Sequence, residues 1–140
     1  MRYMTNPFPR FLLVVSAAIL LFGGAAHTRA FKQAVAAIAA SNLPAFYASA
    51  FKALWLIDSA TLVGLGIVFA LIAARPVIAS GLIVALLALI PAATAVLLYY
   101  FIGAFVPAHL LLAAAAMAFF AGLLRTNVWP VRSLHSRQPP

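Results

Sequence analysis

Asp58 is the only acidic side chain in this 140-residue sequence. Placed in an apolar run, an ionisable group is costly unless it meets a partner or a water-filled cavity. His27 and His109 are the partners with chemistry to offer. A carboxylate beside one or two imidazoles relays protons, because the anion favours the charged ring. Two His and one Asp can also hold a divalent metal, with the carboxylate ligating or orienting a ring. Two His on different helices can ligate a haem. No two of the three are close in sequence, and no ligand-spacing motif joins them. A purely structural alternative stays open, in which Asp58 pairs with Lys52, Arg29 or Lys32, or accepts a hydrogen bond from Ser59 or Thr61. The cofactor is therefore unknown at this level.

The elements that must position these groups follow from composition. The chain is 67% hydrophobic and 7% charged, with a mean hydropathy of +1.15, against about half apolar and a quarter charged in soluble domains. That excludes a soluble enzyme, a disordered chain and a fibrous repeat. Cysteine is absent, so disulfides, thiolate metal sites and cysteine nucleophiles are excluded too. Four runs approach the roughly 20 apolar residues that a span needs: about 11–26, 53–74, 76–101 and 108–124. The first has the shape of a signal peptide as well, but His27-Thr28-Arg29 after Ala26 is a poor cleavage site, and a retained helix is expected. Residues 125–140, with Trp129, Pro130, Pro139 and Pro140, are expected to form an irregular cytoplasmic tail.

Nine Lys and Arg give a formal charge of +8. They lie at span ends and in tails, where cations fix topology and meet anionic headgroups; no basic cluster interleaved with aromatics points to nucleic acid. With four spans, Arg2, Arg10, Arg75, Arg125, Arg132 and Arg137 share one side, and Arg29, Lys32 and Lys52 the other. The bias places both termini in the cytoplasm. His27, Asp58 and His109 then all fall at the outer side, with Tyr99 and Tyr100 near by.

Between the first two spans, Phe31, Ala34, Val35 and Ile38 share a helix face opposite Arg29, Lys32 and Gln33. This spacing predicts a short amphipathic helix over about 28–41, lying in the outer interface. Ser41-Asn42-Leu43-Pro44 reads as a break and restart. Helical pattern then runs from Pro44 into the second span, about 46 Å at 1.5 Å per residue, so that helix either projects and tilts or breaks. Pro91 is expected to kink the third span by freeing the carbonyl four residues earlier.

Small residues recur at four-residue spacing, which lets helices approach closely in lipid: Ala60 and Gly64; Gly66, Ala70 and Ala74; Ala114, Ala118 and Gly122. On the helical wheel Asp58 falls with Tyr47, Phe51, Trp55, Leu62 and Phe69, opposite Ala60, Gly64 and Ala70. If the small face packs inward, Asp58 points to headgroups or a partner, and the aromatic stripe Tyr47, Phe51, Trp55 becomes a docking surface or an ordinary interfacial belt.

The stretch GAAHTRAFKQAVAAIAASNLPAFYASAFKALWLIDSATLVGLG, and ALWLIDSATL within it most of all, resembles a region of small bacterial inner-membrane proteins with four spans. The resemblance covers about a third of the chain and implies the class without an activity. Together these readings predict an all-α integral membrane protein, a four-transmembrane-helix bundle with an interfacial amphipathic helix between the first and second spans. With no HExxH, GxSxG or Gly-rich phosphate loop, the leading expectation is a non-enzymatic subunit. It would assemble as a homo-oligomer or with a partner membrane protein in the bacterial inner membrane. The alternatives are a proton-coupled transporter or channel using Asp58, His27 and His109, and a haem- or metal-binding redox subunit.

Overall fold

The computed structural model describes residues 7–126; Arg2 and the tail from 127 onward, including Trp129, Pro130, Arg132, Arg137, Pro139 and Pro140, lie outside them. Among these described residues five helices form: α1 (Pro7–Ala39), α2 (Ala45–Ala74), α3 (Gly81–Leu87), α4 (Leu89–Phe101) and α5 (Val106–Thr126). The described residues contain no strand. α3 and α4 make one rod, so four helical rods are long and apolar enough to cross a membrane.

The joint in the third rod follows from Pro91. Its ring nitrogen cannot donate to the Leu87 carbonyl, and α3 stops at Leu87, with Ala88 as the hinge before α4. That rod begins at Gly81 rather than at Pro76. Pro76 sits in a turn, held by the Ile78 amide on the Arg75 carbonyl, and Ser80 caps α3 by accepting from the Ile83 amide. At the other end Gly103 adopts φ +93°, a left-handed conformation that glycine takes without penalty. Its amide closes α4 on the Leu98 and Tyr99 carbonyls.

α1 and α2 differ from expectation in length. Residues 28–39 are not a separate element, because α1 runs unbroken through them. No glycine or proline follows Gly24 in this helix, and the run is rich in alanine. The apolar face of this stretch lies against a helix. Phe31, Ala34, Val35 and Ile38 are half-buried, and Arg29, Lys32 and Gln33 exposed. α2 supplies the cover, for it is continuous from Ala45, with Pro44 at its N-cap, and folds back along α1. Facing positions are mirror images about residue 43. Gly24 lies on Leu62 and Val63, Leu21 on Gly66, and His27 on Ser59. Of the four mirror positions of these α1 residues, Ala48, Lys52 and Trp55 are half-buried too, and Phe51 is exposed.

α5 is the hub. It packs on α1, α3 and α4, whereas α2 finds its broad contact on α1. Its buried face is nearly all small: Ala108, Ala114, Ala115, Ala118, Ala121 and Gly122. Buried Ser16 donates to the Ala114 carbonyl at 2.8 Å and ties α1 to it. Since α1 and α5 run antiparallel from that bond, residues beyond about 25 of α1 project past the Val106 end, by roughly 20 Å at 1.5 Å per residue.

The predicted packing faces divide accordingly. Ala114, Ala118 and Gly122 are buried, as is Gly66. Ala60, Gly64 and Ala70 are exposed, so the small-residue face of α2 does not pack inward. The opposite face does, because Leu62, Phe69 and Ile72 bury more apolar area than alanines can.

Gly81 and Gly122 cross backbone to backbone. A Cβ on Gly122 would stand 2.6 Å from the Gly81 carbonyl and 2.7 Å from the Ala85 amide nitrogen. Gly122→Ala is expected to cost about 1–3 kcal/mol through forced separation of α3 and α5. Gly64, with nothing within 4 Å of its added Cβ, serves as the control. Unfolding of Gly122→Ala and Gly64→Ala side by side in detergent checks this, and equal midpoints would refute the crossing.

Candidate functional site

The polar centre lies where the α1–α2 pair leaves α5. The mirror register sets His27 of α1 against one turn and a half of α2, carrying Trp55, Asp58 and Ser59. The His27 and Trp55 rings stack, with centroids 4.2 Å apart and planes 7° from parallel. The Trp55 indole Nε1 donates to the His27 carbonyl at 2.9 Å. Each residue thus fixes the other twice.

Hydrogen bonding also fixes the imidazole tautomer. The Ser59 hydroxyl donates to the Trp55 carbonyl at 3.0 Å, so its oxygen is an acceptor toward His27 Nδ1, 2.9 Å away. Nδ1 therefore carries a proton, and Nε2 holds the lone pair when the ring is neutral. Asp58 Oδ2 stands 3.7 Å from the same Nδ1. The ring is thus oriented between a carboxylate and an indole face. The Asp58 and His27 side chains are each about one-third exposed.

His109 belongs to a different pair. It sits in the first turn of α5, where its Nδ1 is hydrogen-bonded to the Tyr99 hydroxyl across the α4–α5 turn, with ring centroids 5.4 Å apart. The expected cluster of Asp58, His27 and His109 thus resolves into two pairs on two helix hairpins. Among the described residues no group of three His or Asp stands where it would hold a metal. Each imidazole has Nδ1 engaged, which leaves one nitrogen apiece for an external ligand.

The aromatic stripe also divides. Tyr47 and Phe51 are 56% and 51% exposed, whereas Trp55 is half-buried with one ring face on His27. Lys52, Arg29 and Lys32 have no ion pair with Asp58, whose partner is His27. Ser59 and Trp55 are the residues that sequence reasoning did not join to the histidine. The signal was present in the break at residues 41–44: a helical hairpin folded about residue 43 puts 27 opposite 59.

Stacking predicts an optical consequence. In a Trp129→Phe background Trp55 is the sole indole, and His27→Gln, which removes the ring lying on its face, should shift its emission. Identical emission spectra of the two proteins would show that the stack does not form. Ser59→Ala should cost about 1 kcal/mol of stability in a detergent unfolding measurement, the worth of a typical hydrogen bond.

No protein-family model, curated protein or solved structure matches the chain.

Proposed function

We propose that this chain is a multi-pass protein of the bacterial inner membrane, with both termini cytoplasmic. It acts as a small non-enzymatic subunit that assembles with copies of itself or with a larger membrane complex. The observation carrying this reading is the outward face of α2. Ala60 and Gly64 lie there between exposed Leu56, Ile57, Ile67 and Leu71, and Gly64 has open space where a side chain would be. In lipid, small residues flanked by larger apolar ones favour helix–helix contact. Six cations at the Arg10 side against three at the other support the orientation.

The His27–Asp58 pair favours a second reading, a proton-coupled transporter or channel. It requires an assembly in any case, since four rods enclose little pore. Unchanged pH-dependent flux in proteoliposomes bearing Asp58→Asn would remove it.

Native mass spectrometry from mild detergent tests the assembly. Integer multiples of 14.8 kDa, or added masses of whole proteins, are expected for the wild type. Gly64→Leu should reduce these to a single chain without lowering the unfolding midpoint, because a Cβ at this position has nothing of its own molecule within 4 Å. A wild-type protein that is a lone monomer at membrane-like densities would overturn the reading.

A further inference from the structure

At the Arg10 end of the hairpin, α1 and α2 leave an open groove of about 330 Å³. Its walls are Val14, Ala17, Ala18 and Leu21 on one side and Ala70, Ala73 and Ala74 on the other, with Arg10 at its end. Every lining residue except that arginine is apolar. From Arg10 to Leu21 the groove spans about 16 Å at 1.5 Å per residue, close to half of a roughly 30 Å hydrocarbon core. It has the depth of one leaflet.

Charge is concentrated at the mouth. The register about residue 43 sets Arg10 level with Arg75, which follows directly on Ala74 of the groove wall, and both arginines are exposed. Arg125 reaches the same corner from α5, donating through Nη2 to the Pro76 and Ala79 carbonyls. Its Nη1 is buried and has no hydrogen-bond partner among the described residues. No acidic side chain can neutralise this corner, because the only one, Asp58, lies about 25 Å away along α2 and is paired with His27. Basic pockets between spans on the cytoplasmic side bind anionic headgroups.

We infer that this groove binds one anionic phospholipid of the cytoplasmic leaflet. An acyl chain lies between Ala18 and Ala70, and the phosphate is held by Arg10 and Arg75. The arginines supply charge-assisted hydrogen bonds to phosphate oxygens, and the alanines supply the width that an acyl chain needs. This rests on the membrane reading proposed above, and it adds a ligand, a leaflet and a site.

The test uses the full chain in nanodiscs of matched-chain phosphatidylglycerol and phosphatidylcholine, followed by native mass spectrometry of the released protein. Wild type should retain one phosphatidylglycerol in preference to phosphatidylcholine. Arg10→Gln should lower that preference about fivefold, the effect of one cation at a membrane surface, and Arg10→Lys should keep most of it. Ala18→Phe, at an exposed position of the groove wall, should abolish retention while leaving the unfolding midpoint unchanged. Equal retention of the two lipids by wild type, or undiminished retention by Ala18→Phe, overturns the proposal. An Ala18→Phe variant that loses its oligomer rather than its lipid also overturns it, by assigning the groove to a second copy. Failure to enter nanodiscs would instead refute the membrane reading itself.

Discussion

Everything in this molecule hangs on how closely other backbones can come to α5. Three helices lean on one, and a 21-residue helix has room for three neighbours only if its side chains barely extend from it. Alanine and glycine meet that condition. With little side-chain volume between backbones, dispersion contacts between main chains carry much of the association. The Ser16 hydroxyl then reaches an α5 carbonyl directly. Large side chains are displaced to the other side of the molecule: Leu13 and Leu20 on α1, and Leu62, Phe69 and Ile72 on α2, fill the remaining core.

That division explains why α2 has two different faces. Its bulky face makes a core with α1, and its small face is left over. In a soluble protein the leftover would be polar. Here it is apolar, which accords with a lipid surround or another helix and not with water. The same economy of polar groups makes each one conspicuous. Buried Ser16 and Ser59 are both hydrogen-bonded, and the one carboxylate is adjacent to the one histidine that the hairpin brings to it.

Length and composition made the helical class and the number of rods legible, since four apolar runs admit few other solutions. The break at Ser41–Pro44, the interruption upstream of Pro91 and the burial of Ala114, Ala118 and Gly122 were readable for local reasons. The partner of each face was not. An amphipathic wheel reports which side of residues 28–39 is apolar, but lipid and a neighbouring helix satisfy that side equally well. Likewise, small residues at four-residue spacing mark both Gly122, which touches a backbone, and Gly64, which touches nothing. Side placement brought His109 to the same end as Asp58, yet helix pairing decides lateral neighbours, and α5 gave His109 to Tyr99. Counting residues outward from the turn would have recovered the His27–Ser59 pairing, because in a hairpin of two unbroken helices the register has little freedom.

The unbroken course of α1 has a mechanical meaning. Its 33 residues make a rod about 50 Å long, with both prolines, Pro7 and Pro9, in its first turn and the Gly23–Gly24 pair at mid-length. Ser16 fastens it to α5 nearer its first end, so its two arms are unequal. A tilt of about 5° would carry the far tip by some 3 Å and the Arg10 end by about 1 Å in the opposite sense. One angular change is therefore several times larger as displacement at the projecting end than at the Arg10 end.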